Sequence, residues 1–67
     1  MSTAVAPSID RLLYTPEEAA EALAIGRSTL YELMATGALT YIKLGRCRRI
    51  RRADLERYVA SLTPLPN

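Results

Sequence analysis

The 67-residue sequence contains no histidine, tryptophan or phenylalanine, and its only cysteine is Cys47. One cysteine cannot form an intramolecular disulfide, and without histidine it cannot complete a Cys/His metal site. Acid–base or nucleophilic catalysis would then depend on carboxylates. Glu17, Glu18 and Glu21 are interpreted instead as residues that cap a helix or lie on its solvated face. We therefore expect no metal site, no cofactor and no enzymatic activity.

Long apolar runs and glycine-rich stretches are absent as well. No apolar run approaches the roughly 18 residues that span a membrane, and the three glycines lie singly rather than in a phosphate-binding loop. The N-terminus MSTAVAPSID lacks the charged start and apolar stretch of a secretory signal, and a lone thiol fits a reducing compartment. These features predict a cytoplasmic protein that binds neither a membrane nor a small-molecule substrate.

The length and composition predict one small domain that acts through its surface. A chain of 67 residues buries only about 60% of its unfolded surface, which is too little for both a core and an enclosed active-site cavity. Its 49% hydrophobic and 24% charged residues are ordinary proportions for a soluble globular domain.

Positive charge is concentrated in residues 43–52, although the net charge of the chain is only +2. This segment, KLGRCRRIRR, holds six cations and no acid, whereas residues 1–42 hold two arginines and five acids. Such clustering is typical of proteins that bind phosphate groups. A solvated basic surface without a partner is the alternative interpretation.

Two short helices are predicted in the first half of the chain. The sequence Thr-Pro-Glu-Glu at 15–18 resembles a capping box, so the first helix should begin at Pro16 and end near Ala24. A second helix is expected from Arg27 to Thr36, with a glycine before it and another after it. Two short helices with a tight connection cross each other, as in a helix-turn-helix.

A β-hairpin is predicted next, because apolar and charged residues alternate on both sides of a turn at 45–47. The residues expected to face the core are Ile42, Leu44 and Ile50, and those expected to face solvent are Lys43, Arg49 and Arg51. A two-stranded ribbon is not stable alone. A third helix is therefore expected to support it.

The third helix is predicted from an apolar face of Leu55, Tyr58, Val59 and Leu62. Asp54 falls in its first turn, where a carboxylate interacts favourably with the helix dipole, and prolines 64 and 66 end it. We expect a folded domain over residues 13–62, a flexible N-terminal arm over 1–12 and a C-terminal tail over 63–67.

The stretch from Leu13 to Leu62 resembles the excisionase-type, MerR-like winged helix-turn-helix family of DNA-binding domains. The segments that carry the resemblance are LYTPEEAAEAL, STLYELMATGAL and YIKLGRCRRIRRADL. The sequence departs from the family pattern at Ala24, where the family usually has glycine, and at Gly26, where many members have serine or threonine. The implied fold is mainly α with a small β-hairpin, a winged helix-turn-helix of three helices plus a two-stranded wing.

The resemblance implies that the second helix is the recognition helix of the major groove and that the hairpin is a wing along the minor groove. Polar side chains on the exposed face of that helix also suit base edges and phosphates. Ser28 and Thr29 are candidates for phosphate contacts, assisted by free N–H groups at the helix start. Arg27 and Glu32 are candidates for base-edge contacts.

Several candidates have alternative interpretations. Glu32 is either a reader of cytosine or a surface acid that repels DNA or pairs with Arg27 or a wing arginine. Tyr31 either packs on the wing or contacts the DNA backbone. Lys43 is expected to touch a flanking phosphate, and Cys47 is interpreted as an incidental small residue. Arginine suits a narrow minor groove. The wing residues expected to contact it are Arg46, Arg48, Arg49 and Arg51.

Together these patterns favour sequence-specific binding of double-stranded DNA. The resemblance implies an architectural protein, a phage or mobile-element excisionase that binds cooperatively with further copies of itself, bends DNA and directs an integrase toward excision. A small winged helix-turn-helix transcriptional regulator is the alternative within DNA binding. A protein adapter whose basic face binds an acidic partner is the alternative from another class.

Overall fold

Three helices and three short strands make up the computed structural model, which describes residues 11–65. In chain order they are β1 Leu13–Tyr14, α1 Pro16–Leu23, α2 Arg27–Thr36, β2 Ile42–Leu44, β3 Cys47–Arg51 and α3 Arg52–Ala60. The predicted fold class, mainly α with a small hairpin wing, is confirmed. Residues 1–10 of the predicted arm and residues 66–67 of the predicted tail lie outside the described part. Within that part, no helix is long and apolar enough to cross a membrane.

The wing is attached to a third strand that the sequence did not predict. The strands form an antiparallel sheet in the order β1-β3-β2, in which Tyr14 of β1 pairs with Ile50 of β3. The backbone N–H of Arg52 also donates to the carbonyl of Leu12 at 2.9 Å. A strand of two residues is too short to show an alternating pattern, so only the folded chain shows it. Its pairing makes β3 the central strand.

The hairpin turn contains two residues, Gly45 and Arg46, and Cys47 already belongs to β3. Gly45 has φ 67, and a positive φ at the first turn position alone is the pattern of a type II′ turn. The register pairs Ile42 with Arg49, Lys43 with Arg48 and Leu44 with Cys47. Residues directly opposite each other share one face of an antiparallel pair.

This register overturns the predicted faces of β2. Lys43, not Ile42 or Leu44, shares the face of Arg48 and Ile50. Ile50 is fully buried as expected, but Leu44 is 56% exposed near the turn. The predicted turn included Cys47, which shifts the predicted pairing of β2 with β3 by one position. A shift of one residue moves every side chain of a strand to the other face.

The core lies where all three helices meet the central strand. It consists of Ala19, Ala20, Leu30, Met34, Leu39, Ile50 and Leu55. The predicted inward face of α3 is correct in its first half only, because Val59 and Leu62 are 50% and 54% exposed. The helix ends at Ala60, so Leu62 lies beyond its last turn.

The caps of the first two helices differ in kind. Thr15 and Glu18 form the predicted capping box, in which the Thr15 hydroxyl accepts from the Glu18 amide at 3.1 Å. Ala24 ends α1 in the left-handed region with φ 60, a conformation that glycine adopts without steric cost. Gly26 precedes α2 and provides no side-chain cap. No side chain at the cap position therefore accepts a hydrogen bond from the backbone N–H groups in the first turn of α2.

Asp54 is a buried carboxylate, 2% exposed, at the start of α3. Arg51 donates to both of its oxygens through Nε and Nη2, each at 2.8 Å, and the Thr40 hydroxyl donates to Oδ1 at 2.8 Å. The hydrogen bonds from Arg51, together with the one from Thr40, lower the pKa of Asp54 to about 2 even though burial opposes the charge. The hydrogen bonds of Asp54 thus connect the loop before β2, the end of β3 and the start of α3.

We predict that Asp54→Asn lowers the free energy of unfolding by about 2 kcal/mol at pH 7. A carboxyl whose pKa is lower in the folded state than in the unfolded state stabilises the fold above its unfolded value, and this contribution disappears as the pH falls through the folded value. The wild-type protein should therefore lose stability between about pH 4 and pH 2, and the Asn variant should lose less. Urea unfolding followed by circular dichroism measures both.

Glu56→Gln is the matched control for this prediction. Glu56 accepts from Arg52 Nε at 3.3 Å in an exposed pair, and exposed pairs contribute only about 0.3–0.5 kcal/mol. Equal losses in the two variants would contradict the structural role of Asp54.

Candidate nucleic-acid interface

The exposed face of α2 begins at its uncapped N-terminus. Ser28, Thr29 and Glu32 lie there in solvent. Within residues 11–65 no hydrogen bond or ion pair holds these three side chains. An ion pair of Glu32 with Arg27 or a wing arginine is therefore absent within these residues. Recognition of cytosine and repulsion of DNA by a surface acid both stay predictions. The Glu32 carboxylate is open to an outside partner.

Glu17 on α1 connects two of the predicted site residues. Its Oε2 atom accepts from the Tyr31 hydroxyl at 3.1 Å and lies 3.5 Å from Nη2 of Arg27. A hydrogen bond with its own backbone, the Tyr31 hydroxyl and the charges of Arg27 and Arg49 together lower the pKa of Glu17. Sequence reasoning missed this role because Glu17 and Tyr31 lie 14 residues apart, and only the crossing of α1 and α2 brings them together.

Arg48 joins the wing to α2. Its guanidinium carbon lies 5.5 Å from the centre of the Tyr31 ring and 5.9 Å from the centre of the Tyr41 ring. Both distances are within the range of about 6 Å for cation–π attraction. Tyr31 therefore packs on the wing, and its contact with the DNA backbone stays a prediction. Because Lys43 lies opposite Arg48, the wing face that carries both cations adjoins α2.

The remaining wing cations differ in their partners. Lys43 and Arg46 are exposed, and their side chains have no hydrogen bond or ion pair within the described residues. Arg49 is half-buried and donates from Nη1 to the Arg48 carbonyl at 2.9 Å. Arg51 was expected to face solvent with the others, but it binds Asp54 through two nitrogens while its side chain stays 49% exposed. The ion pair with Asp54 therefore gives Arg51 a role in holding the end of β3 to the start of α3.

Cys47 is exposed on the opposite face of the hairpin from Arg48, next to Leu44 in the register. Among the described residues, no three histidine, cysteine, aspartate or glutamate side chains cluster as a metal site would require.

The elements that form this surface match a known family. Residues 13–63 match the model of a helix-turn-helix domain family. The chain belongs to this helix-turn-helix family. A protein from Saccharopolyspora erythraea named "Probable excisionase" is 43% identical over 53 residues, which are 79% of this chain and 54% of that relative. This helix-turn-helix protein thus spans about half the length of its curated relative, and no solved structure matches it.

The match agrees with the geometry of the surface. It begins at β1 and ends beyond α3, so it includes the crossed helices, the wing and the helix that supports the wing. Residues 13–63 are therefore a helix-turn-helix domain that includes the proposed interface.

Proposed function

We propose that the protein recognises specific sequences in double-stranded DNA with α2 and the β2–β3 wing acting as one surface. The contact of Arg48 with Tyr31 is the observation that carries this proposal, because it places the basic wing face beside the exposed face of α2. A helix-turn-helix inserts its second helix into the major groove. A basic hairpin beside that helix then reaches the neighbouring backbone and minor groove.

The residues of α2 divide into two roles under this proposal. Ser28, Thr29 and the uncapped N–H groups of the first turn hold a phosphate, because a helix N-terminus attracts anions. Arg27 and Glu32 read base edges, since arginine pairs with guanine and glutamate accepts from cytosine. Glu17 lies within ion-pair distance of Arg27, which supports an arginine already oriented along the helix start.

The wing residues contribute charge and shape recognition. We assign phosphate or minor-groove contacts to Lys43, Arg46, Arg48 and Arg49, and we give Arg51 the structural role of holding Asp54. A concentrated basic surface attracts DNA of any sequence, and arginine is favoured in narrow minor grooves.

We further propose that the protein is an excisionase of a phage or mobile element that works in the bacterial cytoplasm. The 43% identity to a protein named a probable excisionase supports this role. One module of this kind covers about 600–1,000 Å² of its own surface, which gives too few base contacts to select a single genomic site. Several copies would therefore bind cooperatively, bend the DNA and direct an integrase toward excision.

The wing can be tested by replacing Arg46, Arg48 and Arg49 together with alanine. Affinity for all duplexes should fall, and the slope of log affinity against log salt should flatten by up to about 0.9 for each lost phosphate contact. Titration of a random duplex at two salt concentrations measures both effects. Circular dichroism should show the helices intact.

Arg46→Ala and Arg57→Ala form a matched pair of single substitutions. Arg57 lies on the face of α3 opposite the buried Leu55, outside the proposed surface. Only Arg46→Ala should weaken binding. Unchanged affinity in the triple variant would reject the wing as a DNA contact and favour an adapter for an acidic protein.

Arg27→Ala and Glu32→Ala should change the preference among DNA sequences more than they change non-specific binding. Each base contact contributes roughly 1–3 kcal/mol of discrimination. Competition between selected and random duplexes measures the preference, and Ser28→Ala serves as a control that should weaken binding to all duplexes similarly. Equal losses on selected and random DNA would reassign Arg27 and Glu32 to the backbone.

The architectural role predicts how copies assemble. We expect a monomer in analytical ultracentrifugation, stepwise cooperative complexes on a duplex with several sites, and a bend in a circular-permutation gel assay, because wings inserted in phase accumulate curvature. A stable dimer in solution, or one unbent complex per operator, would favour a transcriptional regulator instead.

A further inference from the structure

We propose that Tyr31 and Tyr41 are positioning residues that hold the guanidinium of Arg48, so that α2 and the wing meet DNA at one fixed spacing. The inference rests on the proposed function, because it explains how a DNA contact is prepared before DNA arrives. The three side chains come from three places in the chain: Tyr31 from α2, Tyr41 from the segment before β2, and Arg48 from β3. Their contact fixes the wing against the helix.

The Tyr31 ring is itself fixed at its far end. Its hydroxyl donates to Glu17 on α1, and its ring is half-buried against the core. Tyr41 is 38% exposed and lies within reach of the same guanidinium. Arg48 thus rests on a ring that α1 and α2 together hold in place, whereas Lys43 and Arg46 have no such support within the described residues.

The cation–π contacts are compatible with DNA contact, because they use the positive charge of the guanidinium and none of its N–H donors. The N–H donors of arginine lie in the plane of the group and point outward. A phosphate or a base edge can therefore approach these donors while the tyrosine rings stay in place. Holding the side chain in advance also reduces the rotamer entropy lost on binding. Lysine also makes cation–π contacts, but its compact ammonium lacks the planar fork of donors that arginine presents to a phosphate or a base.

Tyr41 provides the cleanest test because its hydroxyl makes no hydrogen bond within residues 11–65. Tyr41→Leu removes the ring, and Tyr41→Phe keeps it. We expect Tyr41→Leu to weaken binding to a random-sequence duplex about two- to fivefold, the range of a solvent-exposed cation–π contact. Tyr41→Phe should restore the wild-type affinity. In an Arg48→Ala background, Tyr41→Leu should have no further effect.

A measurement without DNA separates positioning from a general effect on folding. In the free protein, the side-chain protons of Arg48 should show NMR shifts caused by the nearby rings, and these shifts should decrease in Tyr41→Leu but not in Tyr41→Phe. Tyr31→Leu should decrease them as well. Circular dichroism and thermal unfolding establish that each variant is folded before binding is compared.

Arg48→Lys is the second variant, and it keeps the charge. It should bind DNA more weakly than the wild type, because lysine lacks the planar fork of donors. Since lysine also makes cation–π contacts, though less often than arginine, Tyr41→Leu should have a smaller effect in this background than in the wild type. If Tyr41→Leu weakens binding by the same factor in the wild-type and Arg48→Ala backgrounds, the positioning role is overturned. If Arg48→Ala itself leaves DNA affinity unchanged, the wing contact of the proposed function fails instead.

Discussion

The buried carboxylate of Asp54 is the interaction on which the position of the wing depends. A charged group in so small a core must have its hydrogen bonds satisfied, because burying an unpaired charge is strongly destabilising. Thr40 and Arg51 satisfy them from the two ends of the wing, and Asp54 itself starts α3. Asp54 therefore ties together the two ends of the hairpin at its base, while the turn at Gly45 and Arg46 is exposed to solvent.

Because the base of the hairpin is held in place, its two faces have different neighbours. β3 is hydrogen-bonded to β1 on one side and β2 on the other, and Ile50 anchors it in the core. The alternation of side chains along a strand then places Arg48 on the same face as Ile50. That face adjoins α2, so Arg48 reaches Tyr31, and Leu44 and Cys47 lie on the other face.

The sequence predicted the parts of the fold whose signals are local, and it could not predict those that depend on tertiary contacts. The capping box at Thr15 and the apolar spacing of Leu30 and Met34 each involve residues only three or four positions apart, so the sequence alone shows them. The register of the hairpin depends on whether Cys47 belongs to the turn, which alternation alone does not decide. The Glu17–Tyr31 hydrogen bond depends on how two helices cross.

The basic segment also shows why a count of cations overstates the positive charge that is available to a phosphate. Six cations lie in residues 43–52, but Arg51 is bound to Asp54 and Arg52 to Glu56. Salt dependence arises from phosphates that protein cations neutralise, and a cation already paired with a carboxylate neutralises fewer of them. The charge left for long-range attraction therefore lies on Lys43, Arg46, Arg48 and Arg49, and Arg48 is in addition held against two tyrosine rings. Two of the six cations, Arg51 and Arg52, thus form ion pairs within the fold, and the other four are available to a partner. This division allows a chain with a small core to hold its basic surface in place.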